Sequence, residues 1–327
     1  MNSFGFSPYK AEKKDCFKHG NIIGAGLLIG QIVPTVITVA IVVLLALTGK
    51  YSLTEAQEMI GGADVVASYG LNTLLCFLMF FLTFYLILKI MKRPVGDTCG
   101  FSKPQKNSMA IWCFGLCLFM ILVGSLVTNV FNVFTQAVFG KEAYTPEIGD
   151  GTYTLFTFAF TFLNAAIMPA LLEEFAFRGA ILGIVRKFGD GVAIIFSSLA
   201  FALMHGNFGQ IPYTFCLGLA LAFTRVVTGS IWPCIFIHFF NNSLALLLPF
   251  LSESIIDPFN VGLNLFCMIF GLVSLFFLFK NGATSRIKSV PTTLSSGGRF
   301  CRIFFSPCNI IWVIMMLISS LSFFQGV

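Results

Sequence analysis

Eight stretches of this chain are long and apolar enough to cross a lipid bilayer as helices. A helix needs about 20 mostly apolar residues to span a hydrocarbon core about 30 Å thick. The stretches cover residues 22–48, 70–90, 109–136, 155–186, 191–207, 211–228, 231–250 and 261–279, with a ninth candidate at 303–325. Because lipid offers the backbone no hydrogen-bond partners and no barrel-type alternation occurs, the sequence predicts an all-α polytopic transmembrane bundle. We expect eight core spans plus a ninth C-terminal segment.

The composition excludes the soluble classes of protein. Of the 327 residues, 57% are hydrophobic and 10% are charged, whereas a soluble domain is about 25% charged. A water-soluble enzyme, a nucleic-acid-binding protein and a disordered chain are therefore set aside. The expected partners are membrane lipid and a peptide or protein substrate, with no nucleic acid and with the oligomeric state left open.

The basic residues predict the topology. Connections that face the cytoplasm are rich in Lys and Arg. Seventeen of the 20 basic residues lie in the N-terminus, in alternate connections and after the eighth span. The opposite connections contain only Lys50 and Lys141 among basic residues, together with eight acids: Glu55, Glu58, Asp64, Glu142, Glu147, Asp150, Glu253 and Asp257. We expect an integral membrane protein, in a bacterial plasma membrane, with a cytoplasmic N-terminus.

Three charged residues remain inside a span, in the run Glu173-Glu174-Phe175-Ala176-Phe177-Arg178. An ionisable side chain at the bilayer centre costs about 2.5–3.5 kcal/mol and usually faces a cavity or a partner. Glu174 and Arg178 are four residues apart and share a helix face, so we expect them to pair. Glu173 is rotated about 100° from Glu174, which leaves it free to act as a general base.

Two of the three histidines also lie in spans. His205 follows Phe201 by four residues, and His238 precedes Asn242 by four, so each pair shares a helix face. Counted along their helices, Glu173 and His205 reach similar depths of about 21 and 22 Å. His238 is shallower at about 12 Å, but the connection before its span contains Gly229 and Pro233 and can itself be recessed. The three segments can therefore meet in roughly one layer. The third histidine, His19, lies in the basic N-terminus and is expected to be solvated.

These three segments resemble the CPBP family of intramembrane proteases, which includes the type 2 CAAX prenyl proteases and the bacterial bacteriocin-processing or Abi proteins. The family is marked by Glu-Glu-x-x-x-Arg, then Phe-x-x-x-His, then His-x-x-x-Asn or Asp. The same three motifs occur here in that order, as Glu173 to Arg178, Phe201 to His205, and His238 to Asn242.

The resemblance implies hydrolysis of peptide bonds inside the membrane. By this analogy, Glu173 and His205 activate a water, and His238 and Asn242 stabilise the oxyanion. Glu174, Arg178 and Phe201 support the catalytic side chains. The resemblance also divides the chain into an N-terminal segment with three spans (1–150), a catalytic core (151–280), and a basic linker with an apolar segment of unknown role (281–327).

Several alternatives remain open. The chain lacks a His-Glu-x-x-His zinc motif, so no metal is expected, although Glu173, His205 and His238 remain a conceivable weak zinc site. A proton-coupled transporter could use the same ionisable residues as a relay, and a non-catalytic member could confer bacteriocin immunity. The sequence does not distinguish CAAX-type from bacteriocin-type substrates.

Overall fold

The computed structural model describes residues 8–60, 65–143, 154–250, 253–321 and 324–326. In these ranges the chain is an all-α helical bundle, as predicted. The α-helices are α1 (Pro8–Leu47), α2 (Leu53–Glu58), α3 (Val65–Cys76), α4 (Thr83–Ile90), α5 (Val95–Cys99), α6 (Asn107–Phe139), α7 (Leu155–Phe162), α8 (Met168–Glu174), α9 (Leu182–Val185), α10 (Asp190–Met204), α11 (Ile211–Thr228), α12 (Trp232–Leu247), α13 (Glu253–Lys280), α14 (Ser296–Phe304) and α15 (Pro307–Leu321).

Short π-helical and 3₁₀ turns join several of these helices. The π-helical turns are Phe77–Leu82, Leu163–Ile167 and Phe175–Ile181, and the 3₁₀ turns are Arg186–Phe188, Leu248–Phe250 and Thr284–Arg286. A π-helical turn inserts an extra residue into a helix without ending it. As a result α7, α8 and α9 form one nearly continuous helix over Leu155–Phe188.

Within the described ranges, six helices are long and apolar enough to span a membrane, and a seventh is added if the pair α14 and α15, bent by 70°, counts as one span. The six are Pro8–Leu47, Ser68–Ile90, Asn107–Phe139, Leu155–Phe188, Ile211–Thr228 and Asp257–Lys280. The other two predicted spans correspond to the shorter apolar helices α10 and α12. The expected number of eight therefore depends on whether these two helices cross the membrane.

The short helix α10 explains how a polar side chain reaches the interior of the bundle. Its 15 residues extend about 22 Å, less than a hydrocarbon core of about 30 Å. His205 follows its last residue, Met204, as the C-cap. Because α10 begins beside the Lys- and Arg-rich connections, this length would place its C-terminal end and His205 within such an apolar layer.

The described basic segments meet at one end of the bundle, called here the basic end. The Lys187 ammonium lies 2.7 Å from Asp15 of α1. The Ser230 hydroxyl donates to the Ser102 carbonyl at 2.7 Å. These contacts join the N-terminal helix, the connections on either side of α5 and the segments that follow α9 and α11.

The segment predicted as a basic linker packs against the N-terminal helix. The Glu12 carboxylate accepts hydrogen bonds from the backbone N–H and the hydroxyl of Thr293 at 2.8 and 2.6 Å. Farther along, the Asn309 amide donates to the Gly20 carbonyl at 3.1 Å, and Ile303 is fully buried. The C-terminal segment is therefore part of the folded bundle, next to α1.

The structure contains a short two-stranded β-sheet that the sequence did not predict. The strand β1 (Lys141–Ala143) pairs with β2 (Phe324–Gly326) in antiparallel register, with Lys141 opposite Gly326. This pairing connects the residues after α6 to the C-terminal end of the chain. Among the predicted outer acids, Asp64, Glu147 and Asp150 lie outside the described residues.

The prediction that His19 is solvated is wrong. His19 is only 7% exposed, because α1 extends back to Pro8 and packs the face that carries His19 against the core. The His19 ring lies edge-on to Phe188 with 5.3 Å between centroids, and its Nδ1 is 2.9 Å from the Asp15 carbonyl oxygen. The histidine is thus a buried packing residue at the basic end.

Candidate active site

The two adjacent glutamates lie where the helix changes its winding. Glu173 and Glu174 end α8, and the π-helical turn begins at Phe175. Wider winding disturbs the regular backbone ladder, and the Phe177 carbonyl accepts a hydrogen bond from the Ser197 hydroxyl of α10 at 2.8 Å. Because π-helical turns recur at functional sites, this local geometry and the charged residues indicate the same segment as a candidate site.

Glu174 and Arg178 form a fully buried ion pair. The Arg178 Nη1 donates to Glu174 Oε1 at 2.8 Å, and neither side chain is exposed. The Arg178 Nη2 also donates to the Gly218 carbonyl of α11 at 3.4 Å. Gly218 also allows α10 to pack closely on α11, since a Cβ there would lie 3.2 Å from the Ser198 Cβ. The expected pairing is therefore present, and it ties the motif helix to α11.

Phe201 is in contact with Arg178, His205 and His238. Its ring centroid lies 4.0 Å from the Arg178 guanidinium carbon, a distance suited to a cation–π interaction. The same ring packs edge-on against His205 and His238, with centroid separations of 5.0 and 5.7 Å. Phe201 thus places α10 between the charged motif and α12.

His238 lies between the two carboxylates. Its Nδ1 is 2.9 Å from Glu174 Oε1, the same oxygen that Arg178 contacts. Its Nε2 is 3.9 Å from Glu173 Oε2, which is too long for a direct hydrogen bond. The histidine is almost completely buried, whereas the Glu173 side chain retains 13% of its exposure. A gap without a direct hydrogen bond therefore separates the less buried carboxylate from the His238 ring.

His205 approaches the same cluster through Phe201. Its Nδ1 lies 2.9 Å from the Phe201 carbonyl oxygen, which fixes the orientation of the ring. Among the described residues, His238 is the imidazole within ion-pair distance of Glu173. The structure thus places His205 beside the cluster but does not bring it into a direct bond with Glu173.

Asn242 lies one helical turn beyond His238 on α12. Its Nδ2 donates to the Ala165 carbonyl in the π-helical turn before α8, at 3.1 Å, and its Oδ1 accepts from Asn241 at 3.1 Å. The Asn241 oxygen accepts from the Tyr213 hydroxyl at 2.5 Å. An amide nitrogen carries two hydrogens, so Asn242 keeps one donor beyond the bond to Ala165.

Several contributing groups were missed by sequence reasoning. Ser197, Gly218 and Tyr213 each bond to a motif residue or its immediate neighbour. A serine, a glycine and a tyrosine within apolar spans carry no spacing signal, because their partners are distant in sequence. Only the three-dimensional packing of α10 and α11 reveals them.

The donor set for a metal is not assembled in the described part of the chain. No group of three or more His, Cys, Asp and Glu side chains there is placed to hold an ion. The side chains of the conceivable zinc site, Glu173, His205 and His238, are therefore not placed as a group of metal ligands.

The fold and this cluster define a polytopic membrane protein with a buried site of carboxylates and imidazoles. Residues 155–244 match the family described as type II CAAX prenyl endopeptidase Rce1-like. The chain is also 28% identical, over 209 residues, to the membrane-embedded CAAX protease MroQ of Staphylococcus aureus (strain USA300), which covers 60% of this chain and 81% of the relative. No solved structure gives a match.

Together with the three motifs, these similarities support the predicted resemblance to the CPBP family of intramembrane proteases. The family match supports an intramembrane endopeptidase activity, and the chain is an integral membrane protein. The matched region begins at the first residue of α7 and ends after Asn242, so it contains all three motifs.

Proposed function

We propose that this protein hydrolyses peptide bonds of membrane-associated peptides or proteins by a glutamate-activated water. The observation that carries the proposal is the position of His238, with Nδ1 2.9 Å from Glu174 and Nε2 3.9 Å from Glu173. Glu174 is neutralised by Arg178, and Glu173 faces the gap between its carboxylate and the His238 ring. That asymmetry is suited to acid–base chemistry, because one group orients the imidazole while the other remains free to accept a proton.

Glu173 is the proposed general base. Glu174 already accepts from Arg178 and lies against His238, so it is not available to a substrate. A water in the gap beside Glu173 would lose a proton to that carboxylate as its oxygen attacks the substrate carbonyl carbon. When the C–N bond breaks, the same proton passes from Glu173 to the leaving nitrogen, so the reaction consumes one water in total.

His238 is proposed to stabilise the charge that forms on the substrate carbonyl oxygen. As an imidazolium it donates from both nitrogens, from Nδ1 to Glu174 and from Nε2 towards the gap. Glu174, itself held by Arg178, fixes the ring in this orientation. Donors that are already in place lower the barrier because they need no reorganisation during the reaction.

Asn242 and His205 complete the proposed site. The second amide hydrogen of Asn242 is a further donor for the oxyanion, and its orientation is fixed by the bond to Ala165. His205 packs on the same Phe201 ring as His238, and we propose that it binds the same water. Phe201 would then hold both imidazoles and the Arg178 charge at fixed separations.

The substrate and the membrane belong to the same proposal. The family description and the printed name of the relative favour a CAAX-type C-terminal peptide, and a bacteriocin-type precursor remains the second candidate. The excess of Lys and Arg at the basic end favours a cytoplasmic N-terminus in a bacterial plasma membrane.

Reconstitution into lipid vesicles tests the function. The purified protein is incubated with a farnesylated CAAX-type peptide or with a small bacteriocin precursor, in water enriched in oxygen-18, and the products are analysed by mass spectrometry. We expect cleavage of one peptide, with one oxygen-18 in the new carboxyl group. The variant Glu173→Gln should give product about 100- to 10,000-fold more slowly.

The matched control is Glu58→Gln, which makes the same change at an exposed residue of α2 and should cleave at the wild-type rate. Cleavage by Glu173→Gln at the rate of this control would contradict the assignment of the base. If neither peptide is cleaved and vesicles instead take up protons with a solute, the transporter interpretation is correct. A bacteriocin-immunity phenotype that survives Glu173→Gln would indicate a non-catalytic role.

A further inference from the structure

A second polar site lies at the basic end, away from the cluster of the three motifs. A cavity of about 680 Å³ is lined by α5 and the segment after it, the end of the motif helix, the end of α11 and the residues after α13. Its charged lining residues are Asp97, Arg186, Arg225, Arg286 and Lys288. None of the three motifs contributes a residue to it.

Arg225 is the buried anchor of this cavity. Arg225 is only 2% exposed, and its Nε and Nη2 donate to the carbonyls of Cys99 and Thr98 at 3.2 and 3.3 Å. Its Nη1 has no hydrogen-bond partner among the described residues. A buried arginine with an unused donor is costly, so this position favours an additional acceptor.

The local backbone makes room for that guanidinium. Gly100 follows α5 with a φ of +71°, a conformation that side chains other than glycine adopt rarely. A Cβ at Gly100 would collide with the Arg225 guanidinium. The turn after α5 is thus shaped to accommodate the arginine head beside the cavity.

The charges around the cavity do not balance. Asp190 neutralises Arg186 through a contact of 2.7 Å, whereas Arg286 donates to a neutral acceptor, the Val227 carbonyl, at 2.9 Å. Lys288 and Asp97 are exposed and form no ion pair within the described ranges. The four basic side chains of the lining outnumber the two carboxylates, Asp97 and Asp190, so an excess of two positive charges remains. An anion in the cavity would compensate it.

The position of the cavity favours a lipid as the source of that anion. Phe101 lines it, and the Phe101 carbonyl accepts a hydrogen bond from the indole of Trp232 at 2.9 Å. Trp232 is 48% exposed, and half-exposed tryptophans gather at the level of the lipid headgroups. Basic pockets between helices on the cytoplasmic side bind anionic headgroups.

We propose that this cavity binds a phosphate group, supplied by the headgroup of an anionic phospholipid. The unpartnered Nη1 of Arg225 and the guanidinium of Arg286 provide donors for phosphate oxygens, and Lys288 adds a flexible charge at the rim. The bound headgroup would hold the segment around α5, the end of α11 and the residues after α13 together.

Native mass spectrometry in a neutral detergent tests the proposal. The protein is titrated with phosphatidylglycerol, with phosphatidylcholine or with inorganic phosphate, and the bound species are counted. We expect phosphatidylglycerol to bind more tightly than phosphatidylcholine. Lys288→Met and Arg286→Gln change side chains that are not fully buried, and each should weaken phosphatidylglycerol binding about fivefold.

Lys103→Met is the matched control, because Lys103 is exposed near the same connection but does not line the cavity; its binding should equal that of the wild type. Equal affinity for the two lipids, or a loss in Lys103→Met as large as that in Lys288→Met, would overturn the proposal. Displacement of phosphatidylglycerol by inorganic phosphate supports recognition of the phosphate group. Binding of inorganic phosphate without a preference for phosphatidylglycerol would overturn the lipid assignment.

Discussion

His238 Nδ1 lies 2.9 Å from Glu174 Oε1, although the two residues are 64 positions apart in the chain. The same oxygen accepts from Arg178 at 2.8 Å. One carboxylate oxygen therefore connects the charged motif of the α8 region with the imidazole of α12. Glu174 is thus neutralised by Arg178 and orients His238, whereas the adjacent Glu173 is less buried and has no such partner at hydrogen-bond distance among the described residues.

The first prediction concerns the buried ion pair. Among the described residues, Arg178 and His238 are the side chains within ion-pair distance of Glu174. Arg178→Met therefore leaves a buried carboxylate without its main partner. Breaking one side of such a pair costs about 3–5 kcal/mol. We expect a clear fall in the thermal unfolding midpoint measured in detergent.

A double variant distinguishes charge imbalance from lost packing. Glu174→Gln combined with Arg178→Met removes both charges and should recover part of the stability lost in Arg178→Met alone. If the double variant is as unstable as the single one, the loss arises from packing against Phe201, and the ion-pair explanation is incorrect.

Asn242 tests the proposed oxyanion donors. Asn242→Ala removes an amide that is oriented by the Ala165 carbonyl. Loss of one such donor lowers kcat by about 100- to 1,000-fold, and we expect KM to change little. Steady-state cleavage by vesicle-reconstituted protein gives both constants.

Tyr213→Phe serves as the comparison for Asn242. It removes only the hydroxyl that donates to Asn241, one residue away from the proposed donor, and should lower kcat far less. Equal losses in kcat for the two variants would argue that both residues act by positioning α12 and not by contacting the substrate.

The close packing of α10 and α11 predicts an effect of a single methyl group. In Gly218→Ala the new Cβ would lie 3.2 Å from Ser198 Cβ and 3.3 Å from its Cα, so the helices must separate and carry the Arg178 acceptor with them. Overpacking of this kind costs about 1–3 kcal/mol. Thermal unfolding should shift downward and cleavage should slow.

Gly191→Ala is the matched change on α10, because nothing lies within 4 Å of a Cβ at that position. We expect its unfolding midpoint and its cleavage rate to remain those of the wild type. A similar loss in both glycine variants would show that helix propensity or flexibility, and not the α10–α11 approach, explains the effect.

Metal removal provides another prediction. Because the described residues assemble no group of three metal-ligating side chains, cleavage should continue at an unchanged rate after dialysis against a chelator. The measurement compares initial rates before and after dialysis, together with elemental analysis of the protein. Loss of activity that zinc restores would contradict this prediction.

The sequence predicted what depends on local spacing. Glu174 and Arg178 pair because residues four apart share a helix face, and that relation survives the π-helical turn that starts at Phe175. The apolar runs likewise predicted an all-α bundle, since only length and composition are needed to recognise a spanning helix.

What depends on packing between distant segments could not be predicted. The family resemblance implied that Glu173 acts with His205, whereas the structure places His238 within 3.9 Å of Glu173. The burial of His19 arises from the contact of α1 with Phe188. The number of spans also remained open, because α10 and α12 are apolar but shorter than a typical spanning helix.

The most direct test of the account is the single-turnover rate of peptide cleavage by Glu173→Gln in lipid vesicles. A positioned general base contributes about 100- to 10,000-fold to the rate. The account predicts a loss in that range with an unchanged unfolding midpoint, while Glu58→Gln retains the wild-type rate. A Glu173→Gln rate close to that of the wild type would contradict it.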